Sequence, residues 1–101
     1  MNHTMLLATF FQKCQPQEII HPTHISIYIL FFHYWYNNKF QNPINISRAD
    51  VMLKAKINSK ATYHKCIKEL HGLGFIVYEP SYHPVEGSKV YLVNLTDENG
   101  N

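Results

Sequence analysis

Long hydrophobic runs are missing from this chain of 101 residues. The most apolar stretch, residues 25–36, covers about 12 positions and includes Ser26 and His33, whereas a membrane-spanning helix needs about 20. The amino terminus has no basic segment followed by an apolar run and a small-residue cleavage site, so no signal peptide is predicted. The sequence therefore predicts a cytoplasmic protein without a membrane partner.

Cysteine is scarce, and the two that occur, Cys14 and Cys66, match no zinc-binding or redox spacing. Buried free thiols are predicted, and a disulfide is the alternative. Seven histidines suggest a metal site, but His64 and His71 lie two helical turns apart. His21 has only His24 near it in sequence, with no third ligand. No metal, cofactor or small-molecule ligand is predicted.

The usual signatures of catalysis are absent as well. The chain contains no Gly-rich phosphate loop, no G-x-S-x-G and no pair of carboxylates on one helix face. Cys66 lies two residues from His64 and five from His71, separations that point in different directions on a helix. The sequence therefore predicts a protein that is not an enzyme.

Arginine is nearly absent, and the net charge is only +2, but the charge is unevenly distributed. The segment from Arg48 to Lys68 contains six cationic residues and a single acid, Asp50. A local basic face on a nearly neutral protein predicts a polyanion such as nucleic acid as partner. The alternative is an ordinary solvated helix face.

The first half of the chain predicts two helices. Apolar residues at helical spacing indicate a helix over residues 4–14, capped by Thr4, and residues 15–22 form a connector. A second helix, capped by Thr23 and ending near Asn38, is apolar almost all round. Either the first helix covers its second face, or another copy of the protein does so in a dimer. The residues expected at such a dimer contact are Ile27, Phe31, Tyr34 and Trp35.

The second half combines short helices with strands. Residues 44–46 suggest a very short strand, and Ser47 caps a helix over residues 48–56 with Val51, Ala55 and either Met52 or Leu53 facing inward. After a tight turn, Ser59 caps a helix over residues 59–71 that has one apolar stripe and a basic front. Gly72 and Gly74 end that helix. Residues 75–79 and 89–95 then alternate as strands on either side of a long hairpin loop.

This order of elements resembles the winged helix-turn-helix DNA-binding proteins. The resemblance is carried by Ser47-Arg48-Ala49-Asp50-Val51, Ile57-Asn58-Ser59-Lys60-Ala61-Thr62-Tyr63, Lys68-Glu69-Leu70 and Gly74-Phe75-Ile76. It is strongest to the small winged-helix regulators and replication-initiator domains of bacterial mobile elements. It implies an α+β fold with a three-helix core, a β-hairpin wing and an extra amino-terminal helix. The implied divisions are an amino-terminal helix and connector (1–22), a winged-helix domain (23–95) and a disordered tail (96–101).

The resemblance also implies a function, sequence-specific binding of double-stranded DNA by a transcriptional regulator. The helix over 59–71 would enter the major groove, and the wing over 79–89 would contact the backbone or minor groove. The implied DNA-binding residues are Arg48, Ser59, Lys60, Ala61, Thr62, His64, Lys65, Lys68, Tyr82, His83 and Lys89. The alternative is a protein–protein interaction module, or a replication or mobile-element accessory factor, that works through the aromatic helix over 24–38. Single-stranded nucleic acid is a further ligand that a winged helix accommodates.

Overall fold

The computed structural model describes residues 3–83 and 85–96, and these form four helices and three strands. The elements are α1 (His3–Cys14), α2 (Pro22–Asn37), β1 (Ile44–Ile46), α3 (Arg48–Lys54), α4 (Lys60–Gly72), β2 (Ile76–Glu79) and β3 (Ser88–Leu92). This is the predicted order and the predicted α+β class. Residues 97–101 of the predicted tail lie outside the described residues, and Thr96 is held by hydrogen bonds from its N–H and hydroxyl to Asn94 Oδ1.

The three strands form one antiparallel sheet in the order β1-β3-β2. Ile44 pairs with Val90 and Ile76 pairs with Leu92, so the central strand β3 holds both outer strands in register. These four side chains are buried, as alternation along a strand with one covered face predicts. The amide side chain of Asn42 exchanges two hydrogen bonds with the Leu92 backbone, which extends the pairing beyond β1.

Helix α1 packs within its own chain. Leu6, Phe10 and Cys14 recur every four residues and are buried. The Phe10 ring stacks on Tyr28 of α2 with centroids 3.7 Å apart, and it meets the Phe75 ring edge-on at 5.0 Å. The first helix therefore covers one face of α2 within the same chain.

Helix α2 begins two residues earlier than expected, because the cap is His21 rather than Thr23. Pro22 is the first helical residue, where its fixed φ suits the helix and its missing N–H costs nothing. The His21 N–H donates to His24 Nδ1 at 2.9 Å, so the side chain of the third helical residue accepts from the backbone of the cap residue.

Three of the four residues predicted for a dimer contact on α2 are buried within the chain. Ile27, Phe31 and Trp35 are at most 3% exposed, because they face the core beneath α1 and the sheet. Tyr34 is half-buried, and its hydroxyl donates to Asp50 Oδ2 on α3. The apolar residues that α2 leaves open are instead Ile29, at 47% exposure, and Tyr36, at 60%.

Helix α3 and strand β3 are shorter than predicted. Helix α3 ends at Lys54, with Ala55 as its cap and Lys56 at φ 65°. Val51 and Ala55 are buried as expected, whereas Leu53 is 70% exposed and Met52 takes the half-buried position.

Candidate functional site

Helix α4 is defined by a side-chain cap at its start and a backbone cap at its end. Ser59 Oγ accepts the Thr62 N–H at 3.2 Å. At the other end Gly74 has φ 83°, its N–H donates to the His71 carbonyl, and the Phe75 N–H donates to the Leu70 carbonyl. This pair of bonds is the Schellman motif, and a left-handed glycine makes it without steric cost. The predicted boundaries of the helix are confirmed.

The two faces of α4 divide as the spacing predicts. Tyr63, Cys66, Ile67 and Leu70 are buried. The exposed residues of the helix include every predicted DNA-contacting position on it, namely Lys60, Ala61, Thr62, His64, Lys65 and Lys68. Lys60, His64 and Lys68 are four residues apart and so share one stripe of this exposed face.

The exposed face of α4 is cationic without compensation. The only acid on the helix is Glu69, and it points away from that face to bond His24 of α2. Lys54 pairs with Asp50 at 3.1 Å and Lys89 with Glu86 at 3.7 Å. Within residues 3–83 and 85–96, the cationic residues without an ion-pair partner include Arg48, Lys60, Lys65 and Lys68. Positive potential therefore concentrates on one side of the molecule.

Helix α2 fixes the position of α3 and α4 through three side-chain hydrogen bonds. His24 Nε2 bonds Glu69 Oε1 of α4 at 2.8 Å. Ser26 Oγ donates to the Ala55 carbonyl at the end of α3 at 2.9 Å. The Tyr34 hydroxyl donates to Asp50 at the start of α3. Sequence reasoning missed all three bonds, because their partners are 45, 29 and 16 residues apart.

The Tyr34–Asp50 bond shifts both pKa values. The Tyr34 hydroxyl and the neighbouring Lys54 ammonium hold the pKa of Asp50 below its ordinary value of 3.8. Burial and the Asp50 carboxylate raise the pKa of Tyr34. Both shifts favour a neutral tyrosine that donates to an ionised carboxylate.

Three potential metal ligands meet beneath α4. One ligand atom from each of His24, Cys66 and Glu69 lies within 4.8 Å of the others. His24 Nδ1, however, accepts the His21 N–H, so the ring proton is on Nε2 and is donated to Glu69. A metal on Nε2 would need that proton moved to Nδ1. Burial also raises the pKa of the Cys66 thiol, which opposes thiolate formation. The geometry is therefore that of a hydrogen-bonded contact in which His24 joins α2 to Glu69 of α4.

A cleft of about 510 Å³ lies between α4, the start of α3 and the β2–β3 hairpin. It is lined by Ile46, Ser47, Arg48, Tyr63, His64, Lys68, Tyr78, Pro80, Ser81, Tyr82, His83, Gly87 and Ser88. Five predicted DNA-binding residues thus come together, Arg48, His64, Lys68, Tyr82 and His83. Tyr63 and Tyr78 also line the cleft, and sequence reasoning did not predict either of them as a binding residue.

The hairpin wall of the cleft is tied together by its own side chains. Ser88 Oγ accepts the Ser81 N–H at 3.1 Å, and Ser81 Oγ accepts the His83 N–H at 3.1 Å. His83 Nδ1 accepts the N–H groups of Val85 and Glu86 at 3.2 and 3.1 Å. These bonds link residues 81–83 to residues 85, 86 and 88 beside the cleft.

Gly87 allows the hairpin to approach β1. Its φ is 71°, and a Cβ at this position would lie 2.4 Å from the Ile46 carbonyl oxygen. Only glycine fits there, because both the backbone conformation and the space exclude a side chain.

Tyr63 forms the floor of the cleft. Burial and the nearby Tyr78 raise its pKa to about 12, while the Arg48 guanidinium acts in the opposite direction. Tyr63 therefore stays neutral at physiological pH, and the cationic groups of the cleft are not neutralised by a phenolate.

Two of the predicted DNA-binding residues already interact with other groups of the protein. Ser59 Oγ is the acceptor that caps α4, which also occupies the Thr62 N–H. Lys89 is half-buried on β3 beside Glu86 and opposite Glu79, so its charge is partly compensated.

Comparison with known proteins gives no relative: no family model, no curated protein and no solved structure matches the chain. Every helix in the described part of the chain falls short of the length and apolar character that crossing a membrane requires.

Proposed function

We propose that the chain is a winged helix-turn-helix protein that binds double-stranded DNA in a sequence-specific manner, as a transcriptional regulator in the bacterial cytoplasm. Helix α4 is its recognition helix, and the β2–β3 hairpin is its wing. The support is physical. A capped helix with a buried back and an exposed basic front follows a short helix and a turn, and a hairpin comes next.

The observation that carries the proposal is the charge arrangement on α4. Its three lysines, Lys60, Lys65 and Lys68, are exposed and unpaired within the described residues, while Glu69 is turned into the fold. The major groove is wide enough for such a helix. The hydrogen bond from His24 to Glu69 thus leaves the face of α4 that would meet phosphates without a carboxylate.

The roles follow from position along the helix. Lys60, Ala61, His64 and Lys65 lie in its first two turns and reach base edges, where lysine donates to guanine O6 and N7. Lys68 lies further along and contacts a phosphate, together with Arg48 at the start of α3.

A gel-shift titration over several salt concentrations tests the proposal. Replacing both recognition-helix lysines, Lys60→Ala with Lys65→Ala, should abolish binding at physiological salt and reduce the salt slope of log K by about 2. The matched control, Lys13→Ala with Lys39→Ala, removes the same charge from exposed lysines on α1 and after α2. It should leave binding nearly unchanged. Equal losses in both double variants would contradict the assignment of α4.

We propose self-association of two copies as a second function, on the evidence of an apolar stripe of α2. Ile25, Ile29, Phe32 and Tyr36 follow helical spacing, and Ile29 and Tyr36 are exposed while the other two are half-buried. Pro22–Asn37 contains no Asp, Glu, Lys or Arg. Two such helices approach each other without like-charge repulsion. Light scattering after size exclusion should report a dimer that Ile29→Lys converts to a monomer. Leu53→Lys, at another exposed apolar residue, is the control. A monomeric parent protein would overturn this second proposal.

A further inference from the structure

We propose that the cleft between α4 and the β2–β3 hairpin binds an unpaired nucleotide of a DNA strand, at an overhang or junction beside the duplex that α4 contacts. This inference rests on the proposed DNA-binding function and names a second ligand for the same face of α4. The protein would then bind a duplex that opens into a single strand more tightly than an uninterrupted duplex.

The size of the cleft favours a nucleotide over a backbone phosphate alone. Its volume of about 510 Å³ falls within the range of roughly 300–1,000 Å³ that is typical of small-molecule sites. Contact between a helix and a phosphate needs only a few donors on a surface, not a recess of this size.

The chemistry of the lining fits the parts of a nucleotide. Arg48 and Lys68 supply two cations without an ion-pair partner in the described part of the chain. Tyr78 and Tyr82 supply aromatic rings, whereas the Tyr63 ring is buried. None of the described residues that line the cleft is an aspartate or a glutamate. Proteins bind single strands by combining cations that contact phosphates with aromatic rings that stack on bases.

Tyr82 is the residue placed to stack on a base. It is 98% exposed, the most exposed of the large apolar side chains, yet the backbone on either side of it is fixed through Ser81 and His83. An aromatic ring presented to solvent gains favourable contact area when a base covers it.

His83 offers a directed donor at the same rim. Its Nδ1 accepts two backbone N–H groups, so the neutral ring carries its proton on Nε2. That N–H is available to an acceptor on a base or sugar, which adds polar recognition to stacking.

The basic stripe of α4 explains how a strand reaches the cleft. His64 and Lys68 line it, and Lys60 lies one turn before His64 on the same stripe. A strand that leaves a duplex on α4 therefore stays on positive surface as it enters. A free mononucleotide would gain nothing from that continuity.

Fluorescence anisotropy with three matched DNA hairpins tests the inference. One has a blunt end, one a three-nucleotide 3′ overhang and one a three-nucleotide 5′ overhang, with identical duplex sequence. One of the two overhangs should bind about tenfold more tightly than the blunt end, as expected for one stacked base. A 2-aminopurine in that overhang should be quenched on binding, which reports stacking directly.

Variants at Tyr82 separate stacking from general DNA affinity. Tyr82→Ala should bring the ratio of blunt to overhang Kd to about one and remove the quenching, whereas Tyr82→Phe should keep both. Phe11→Ala, at an exposed aromatic residue on α1, is the control that leaves the ratio unchanged. Tyr82 is fully at the surface, so loss of folding does not confuse the result.

The outcomes separate this inference from the proposed function. Equal affinity for all three hairpins, with blunt binding intact, overturns the nucleotide site and leaves duplex binding standing. Failure to bind any hairpin overturns the proposed function itself. Displacement of the overhang by dTMP at concentrations near the Kd of the oligonucleotide would show a small-molecule site and overturn strand binding.

Discussion

His24 Nε2 donates to Glu69 Oε1 over 2.8 Å and so joins α2 to α4 across 45 residues of sequence. His24 is 1% exposed, and its other ring nitrogen is occupied by the His21 N–H. The bond satisfies a buried donor and turns the only acid of α4 away from the basic face. One interaction thus serves both the stability of the fold and the electrostatics of the proposed DNA-binding face.

Removing the acceptor of this bond should destabilise the protein. Glu69→Ala leaves the buried His24 N–H without a partner, and we expect the free energy of unfolding to fall by about 2 kcal/mol. Glu69→Gln keeps an acceptor oxygen and should cost about half as much. Urea denaturation measures both. Glu86→Ala, an exposed acid, is the control and should change stability by no more than about 0.5 kcal/mol. An Ala variant as stable as that control would show that the bond is not formed in solution.

The Tyr34–Asp50 bond should make stability depend on pH at both ends of the scale. The folded pKa of Asp50 is lowered from 3.8, so its contribution is present above that value and is lost as the pH falls through the folded pKa. The folded pKa of Tyr34 is raised from 10.0, so its contribution is complete below pH 10.0 and is lost as the pH rises through the folded pKa.

Tyr34→Phe should therefore cost stability mainly between about pH 4 and pH 10. We expect a loss of about 1 kcal/mol at pH 7, because the carboxylate is partly exposed and water screens it. The difference from the parent protein should disappear as the pH falls below the folded pKa of Asp50. Thermal melts at pH 2 to 8 measure this, with Tyr36→Phe as a control on the same helix. A difference that stays constant across this range would argue against the bond.

Local signals in the sequence predicted α4 accurately. Ser59 and Gly74 both act within a few residues of the helix ends they define, and the apolar stripe of Tyr63 and Leu70 lies between them. Such information is contained in neighbouring residues, so a single sequence is enough to read it.

The predictions from sequence fail where contacts between distant parts of the chain determine the structure. Residues 93–95 continue the alternating pattern of β3, which predicts that they belong to that strand. The partner strand β2 begins at Ile76, which pairs with Leu92, so β3 ends there. Beyond it, the Val93 N–H donates to the Phe75 carbonyl. The spacing predicts Trp35 at a dimer contact, because α2 is apolar almost all round, and only the packing of the folded chain shows that this residue is buried. The cleft likewise unites residues from α3, α4 and the hairpin that share no local pattern.

Gly87 should tolerate no side chain. In Gly87→Ala the Cβ would lie 2.4 Å from the Ile46 carbonyl oxygen at a φ of 71°, so the hairpin must move away from β1. We expect a loss of about 2 kcal/mol in unfolding free energy, combined from strain and the broken approach. The matched control is Gly72→Ala, which meets nothing within 4 Å and should raise stability by about 0.5 kcal/mol. Chemical denaturation measures the unfolding free energy of both variants. Equal changes in the two would contradict the close approach of Gly87 to the Ile46 carbonyl.

Lys56 occupies a left-handed backbone conformation at the end of α3, with φ 65°, and the Ile57 N–H donates to the Met52 carbonyl around it. Glycine adopts this conformation without the clash that costs a residue with a Cβ about 1 kcal/mol. Lys56→Gly should therefore be about 1 kcal/mol more stable than Lys56→Ala. Both variants lose the same charge, so their affinities for DNA should be equal to each other. Parallel urea melts and anisotropy titrations test the two halves of this prediction. Equal stability would mean that the turn relaxes in solution, and unequal affinity would mean that the angle between α3 and α4 depends on the residue at this position.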